Sequence, residues 1–98
     1  MKRLQTLLDA VSAIGTGDPK TMHSYRKAFQ VTVSGTWTST TLVIEASIDG
    51  LVWTTIASIT SASSGDAWNV ETALPVIRAD VTAYNATTGD ITLKGYEA

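Results

Sequence analysis

A chain of 98 residues is long enough for one modest domain and too short for two. Its formal net charge of −2 and scattered lysines and arginines leave no basic stripe, which argues against a nucleic-acid partner. With no cysteine it has no disulfide, no thiolate metal site and no cysteine nucleophile.

Further classes fall away on patterning. Lys2 and Arg3 precede an apolar run, but Asp9 interrupts it, so the opening is not read as a secretory leader. No apolar stretch approaches the ~20 residues of a membrane helix, and no membrane partner is expected. Sixteen threonines and nine serines, about a quarter of the chain, suit strand faces that meet water and turns that need hydroxyl contacts.

Residues 1–14, MKRLQTLLDAVSAI, carry Leu4, Leu7, Leu8, Val11 and Ile14 at helical spacing. The pattern fits a short amphipathic helix, yet one this short is marginal without packing. An extended arm with Leu8, Ala10 and Ile14 on one face is the alternative. Gly15, Gly17, Asp18 and Pro19 break the chain.

From Ser24 to Gly35, Phe29, Val31 and Val33 alternate with Gln30, Thr32 and Ser34, the signature of a half-buried strand. Arg26 and Lys27 open it and are expected in water. Residues 36–40, TWTST, read as a polar loop. Thr41 to Ile59 then reads as two strands around Asp49-Gly50, a tight-hairpin signal because such turns require positive φ. In it Leu42, Ile44, Ala46 and Ile48 alternate with Val43, Glu45 and Ser47. Val52, Trp53, Thr54, Thr55 and Ile56 continue the return strand.

Thr60 to Asp66 is a small-residue loop, and Ala67 to Leu74 a weak strand stopped by Pro75. Val76 to Tyr84 is a strong strand with Ile77, Ala79, Val81 and Ala83 inward. Asn85 to Asp90 forms a turn. Ile91, Leu93 and Gly95 face inward in the closing strand. Short strands divided by turn signals predict an all-β antiparallel sandwich of about seven or eight strands.

No constellation for chemistry is apparent. His23 is the single histidine, so it cannot build a multi-histidine metal site or serve every role in a triad. Asp49, Asp66 and Asp90 fall at turns, where side-chain capping explains them better than calcium. Neither a catalytic residue, a metal nor a cofactor is expected. Trp37 and Trp68 lie in or near loops and suit surface contact, with a protein or as stacking platforms for a sugar. Trp53 is expected at the edge of the core.

Glu45-Ala46-Ser47-Ile48-Asp49-Gly50-Leu51-Val52-Trp53, with Ile77-Arg78-Ala79-Asp80-Val81 later, resembles the S-x-D-G-x-x-W pattern of small bacteriophage structural proteins with a jelly-roll or Ig-like sandwich. Leu7 to Gly17, followed by Phe29 to Thr36, is similar to the same group. Discoidin-type sandwiches, which bind sugars or lipids, share the S-x-D-G-x-x-W element.

The phage resemblance implies a virion protein made in the host cytoplasm. In its sharpest form this is a capsid decoration or cement protein, a homotrimer on the major capsid protein or another virion protein. It also implies an N-terminal arm over residues 1–22, extended across a neighbour, ahead of a sandwich over 23–98. Leu4, Leu7, Leu8 and Val11 are the expected association residues, with Trp37 and Trp68 as secondary contacts. A carbohydrate-binding module and a tail or head-fibre subunit are the alternatives.

Overall fold

The computed structural model describes residues 3–11, 14–33, 36–60, 65–88 and 90–97, and most of the period-two alternation within them becomes strand. The strands are β1 (Arg3–Val11), β2 (Gly15–Thr16), β3 (Lys20–Thr21), β4 (Arg26–Val33), β5 (Thr36–Ser47), β6 (Thr54–Thr60), β7 (Ala67–Glu71), β8 (Val76–Thr88) and β9 (Ile91–Glu97). They form two antiparallel sheets, ordered β1-β9-β4-β7 and β2-β8-β5-β6, with β3 pairing β8 further along.

Only Gly17-Asp18-Pro19 separates β2 from β3, and both pair with β8, so together they are one interrupted strand. The pairing is then nested: β1 with β9, β2/β3 with β8, β4 with β7 and β5 with β6. A long hairpin rolled up in this way is an eight-stranded jelly roll. The all-β sandwich expected from the sequence is the fold, with jelly-roll rather than Ig-like order.

The core lies between the sheets. Phe29, Val31, Ile91 and Leu93 enter from one side, and Leu42, Ile44, Ala46, Ile77, Ala79 and Val81 from the other, with Met22 closing one end. Full burial of a large apolar side chain is worth about 1.5–3 kcal/mol, so these alternating sets hold the two layers together. Gly95 faces its cross-strand neighbour Phe29, and a Cβ there would lie 2.9 Å from Phe29 Cε1. The missing side chain lets the ring lie over the strand.

Four expectations are corrected. Residues 36–40 are not a loop: β5 runs through them, paired with β8, because threonine-rich sequence suits a pleated strand. Asn85 to Thr88 likewise extends β8 rather than turning. Asp49-Gly50 is not a two-residue hairpin turn, since β5 ends at Ser47 and β6 begins at Thr54. Lys27 is buried, not in water.

Within the stretch expected to be an arm, Arg3–Val11, Gly15–Thr16 and Lys20–Thr21 are woven into the two sheets as β1, β2 and β3. Bulges reconcile the helix-like spacing in β1 with a strand. The register along β9 shifts between Thr6 and Leu8 and again between Leu8 and Val11, so β1 carries two bulges. The first lets both Leu7 and Leu8 turn inward; at the second Ala10 takes a φ of 52°. Leu7, Leu8 and Val11 thereby pack on the inner side although their spacing is helical, while Leu4 and Ile14 stay exposed.

Candidate functional site

Asp49-Gly50 sits at the centre of a loop spanning residues 48–53, and side chains shape it. Ser47 ends β5 buried, and its Oγ accepts hydrogen bonds from the backbone N–H of Asp49 (3.2 Å) and Gly50 (2.9 Å) while donating to Asp49 Oδ1 (3.1 Å). Asp49 Oδ1 in turn accepts from the N–H of Leu51 (2.9 Å) and Val52 (3.4 Å). Gly50 has a φ of 82°, a region that disfavours branched side chains. The Leu51 N–H, then the Ser47 hydroxyl, hold the Asp49 carboxyl below its ordinary pKa.

Turn chemistry thus consumes the polar groups and leaves the apolar ones outside. Ile48, Leu51 and Val52 are 76%, 81% and 78% exposed. An open depression of about 340 Å³ runs beside the tip, with Ile48, Val52, Trp53 and Leu74 in its lining. Trp53 does not enter the core. It lies on the outer face, its ring centroid 4.1 Å from the Arg78 guanidinium carbon. Arg78 Nε donates to Glu45 Oε1 at 2.9 Å across the β5–β8 pair, so a cation–π contact and an ion pair fix the tryptophan beside the loop.

Register and the connecting hydrogen bonds show what else shares this end of the sandwich. Ser47 pairs with Val76, Met22 N–H donates to Pro75 C=O (2.7 Å), and Thr72 N–H donates to Tyr25 C=O (2.9 Å). In the other sheet Arg3 and Lys27 both pair with Glu97, and Leu4 with Tyr96. Among the described residues seven large apolar side chains stand exposed: Ile48, Leu51 and Val52 on the loop, Tyr25 on the β3–β4 connection at the same end, Leu4 and Tyr96 paired on the outer face of the other sheet near that end, and Ile14. The loop end is thus an apolar pole, and clustering of this kind is the usual mark of a contact surface.

Near this end a lysine and a glutamate, register partners on β4 and β9, are both buried. Lys27 is 1% exposed, and its ammonium donates to the carbonyls of Ser24 and Thr72 (2.8 Å to the latter). Glu97 Oε1 accepts from Ser24 N–H at 3.0 Å, while its Oε2 is buried without a hydrogen-bond partner. Burial pulls the Lys27 pKa down and the Glu97 carboxylate opposes that pull. Together they tie the β3–β4 and β7–β8 connections to the sheet.

Of the residues singled out in the sequence, Leu4 is exposed on the outer face near the pole. Leu7 and Leu8 are core residues, each 2% exposed, and Val11 packs against them half-buried. Trp68 is half-buried with its ring 6.0 Å from Phe29 at a 32° tilt, and its Nε1 is buried without a partner, so one of the two sugar platforms is occupied by the protein itself. Trp37 belongs to β5, and its side chain lies outside the described residues. Among the described residues no group of three or more His, Cys, Asp or Glu is placed to hold a metal.

Two signals for the missed residues are in the sequence. Ile48, Leu51 and Val52 flank a turn pair, and residues in a turn leave the sheet and lose its burial. Lys27 stands two and four residues before Phe29 and Val31, so period two points it inward.

No family model matches the chain, and no curated protein matches its sequence. Solved structures do share its fold. The SPBc2 prophage-derived protein YomS aligns at a TM-score of 0.71 and 20% identity, over 98% of this chain and 91% of that one. The PBSX exported protein XepA aligns at a TM-score of 0.62 and 15% identity, over 97% of this chain and 37% of that one. This jelly roll is therefore also the fold of a prophage-derived protein over nearly its whole length.

Proposed function

We propose that this chain is a non-enzymatic structural protein of a bacteriophage particle. Specifically, it decorates the capsid shell, binding the major capsid protein from outside and stabilising the lattice. The observation that carries the reading is the apolar pole, above all Ile48, Leu51 and Val52 on a loop held by Ser47 and Asp49. The fold shared with YomS supports the phage setting. Burying one such side chain against a partner is worth about 1.5–3 kcal/mol before the costs of association. The loop is already ordered, so little entropy is lost on docking. Many copies on one shell add their contacts, and disassembly must break them all.

Co-sedimentation with particles of the phage that encodes the chain tests this. Replacing Leu51 and Val52 together with Ser should reduce shell binding by at least about tenfold, the equivalent of 1.4 kcal/mol, while the thermal melt stays in place. Undiminished binding of that variant would remove the pole from the mechanism. Binding to purified tails but not to heads would move the chain to the tail.

A further inference from the structure

Two open sheets leave four edges, and three of them are blunted. β1 carries Asp9 and is bent by its two bulges. β7 is five residues long and ends in Glu71. β2/β3 is cut into two-residue pieces by Gly17-Asp18-Pro19. β6 differs: its seven residues, TTIASIT, include no charge and no proline. Its one register shift falls at Ile56, which leaves Ala57–Thr60 in unbroken register with Thr41–Ile44 of β5. Among the described residues β6 pairs with β5 alone, so the N–H and C=O groups on its far side face away from the sheet.

We propose that β6 pairs antiparallel with β6 of a second copy of this chain, across a two-fold axis at Ser58. The two β2-β8-β5-β6 sheets would then join edge to edge. In this register Ser58 faces the partner's Ser58, and Ala57 faces the partner's Ile59. Both sides of the strand are matched. Ile59 and Ala57 oppose the buried Leu42 and Ile44 of β5, so they lie on the core side, where apolar meets apolar across the axis. Ser58 opposes Val43 on the outer side, where hydroxyl meets hydroxyl, and no charge opposes its like.

The other three edges argue for a second copy meeting β6 with β6. A ring of three needs two different edges to meet head to tail, whereas one open edge can meet only itself, and that contact closes at two. A dimer is therefore favoured over the homotrimer expected from the sequence. The pairing is independent of where the pole docks.

The chain has no cysteine, so Ser58→Cys introduces its sole thiol. Facing residues of an antiparallel pair have Cα atoms about 4.5–5.5 Å apart, within the ~4.4–6.8 Å that a disulfide spans. Under mild oxidation Ser58→Cys should form covalent dimer at least about tenfold faster than Thr54→Cys, whose two thiols would lie roughly 27 Å apart. Light scattering of the parent at high concentration should give the mass of two chains. Ser58→Lys, a solvent-facing change that sets like charges together, should return it to one chain with the thermal melt and shell binding retained. A parent mass of one or of three chains, or equal cross-linking of the two cysteine variants, would overturn the two-fold pairing.

Discussion

Two apolar stretches of this chain behave in opposite ways. Leu7 and Leu8 lie near the N-terminus on a strand that could have hung free, and they are core. Ile48, Leu51 and Val52 lie in the middle of the chain beside strongly alternating strands, and they are the most exposed large apolar residues among those described. Hydrophobicity does not separate the two groups. Local backbone geometry does: a bulge adds an inward-facing position to an edge strand, whereas a loop takes its residues off the sheet altogether. Adhesive surface is therefore located by where regular pairing stops, rather than by where leucines are densest.

The contrast is sharpest in a deletion. Removing residues 1–14 takes away β1 and with it Leu7 and Leu8, each worth about 2–5 kcal/mol in a core. A domain of this size holds only about 5–15 kcal/mol in total. The expected outcome is loss of the cooperative unfolding transition by circular dichroism. The Leu51 and Val52 replacements, which also remove two large apolar side chains, should each cost no more than about 0.5 kcal/mol. A truncated chain that still melts cooperatively near the parent temperature would break the comparison, and would restore the first stretch as a free arm.

Next in size is the contact that pins β1 in place. A Cβ on Gly17 would run into the Leu7 carbonyl and lie 2.9 Å from Leu8 Cδ2. The first obstacle is backbone, which cannot rotate away. Gly17→Ala should cost about 1–3 kcal/mol, measured by urea denaturation. A neutral result would mean that β1 does not lie against the β2–β3 break. In the loop, Gly50→Val should cost about 1–2 kcal/mol through backbone strain alone, because it forces a branched residue to a φ of 82° with little else nearby. An unchanged melt would show that the turn at Asp49-Gly50 is formed differently.

Most of the sandwich was legible because alternation needs no tertiary information. β9 follows its pattern to the last residue, and β8 does so from Ile77 to Thr82. The errors cluster where local sequence is overridden. Trp37 to Thr40 looks like a loop because it is polar, but a β8 neighbour gives its backbone a partner. Lys27 looks solvated because it is charged, but the Ser24 and Thr72 carbonyls and the Glu97 carboxylate compensate its burial. The candidate site was legible only in part. The Asp49-Gly50 turn and its positive φ could be read, whereas the six-residue width of the loop depends on Ser47 acting as a triple hydrogen-bonding hub.

The smallest effect concerns that hub and is read by pH. Asp49 is depressed below its ordinary value of 3.8 because its ionised carboxylate accepts the Leu51 N–H and the Ser47 hydroxyl. A carboxyl that is more acidic in the folded than in the unfolded chain stabilises the fold fully above its ordinary value. That contribution disappears as pH falls from the unfolded toward the folded pKa, because the unfolded chain takes up the proton first. Asp49→Asn keeps an acceptor oxygen at the same place but cannot titrate. Thermal melts from about pH 5 down to about pH 2 should therefore fall more steeply for the parent than for the Asn variant, with the gap opening below the ordinary carboxylate range. Because Asp49 is exposed, water screens it and the gap should be small. Parallel pH profiles would show that the loop is held by its backbone and Ser47 alone. The apolar tip would then keep its shape in acid, and shell binding should persist there unchanged.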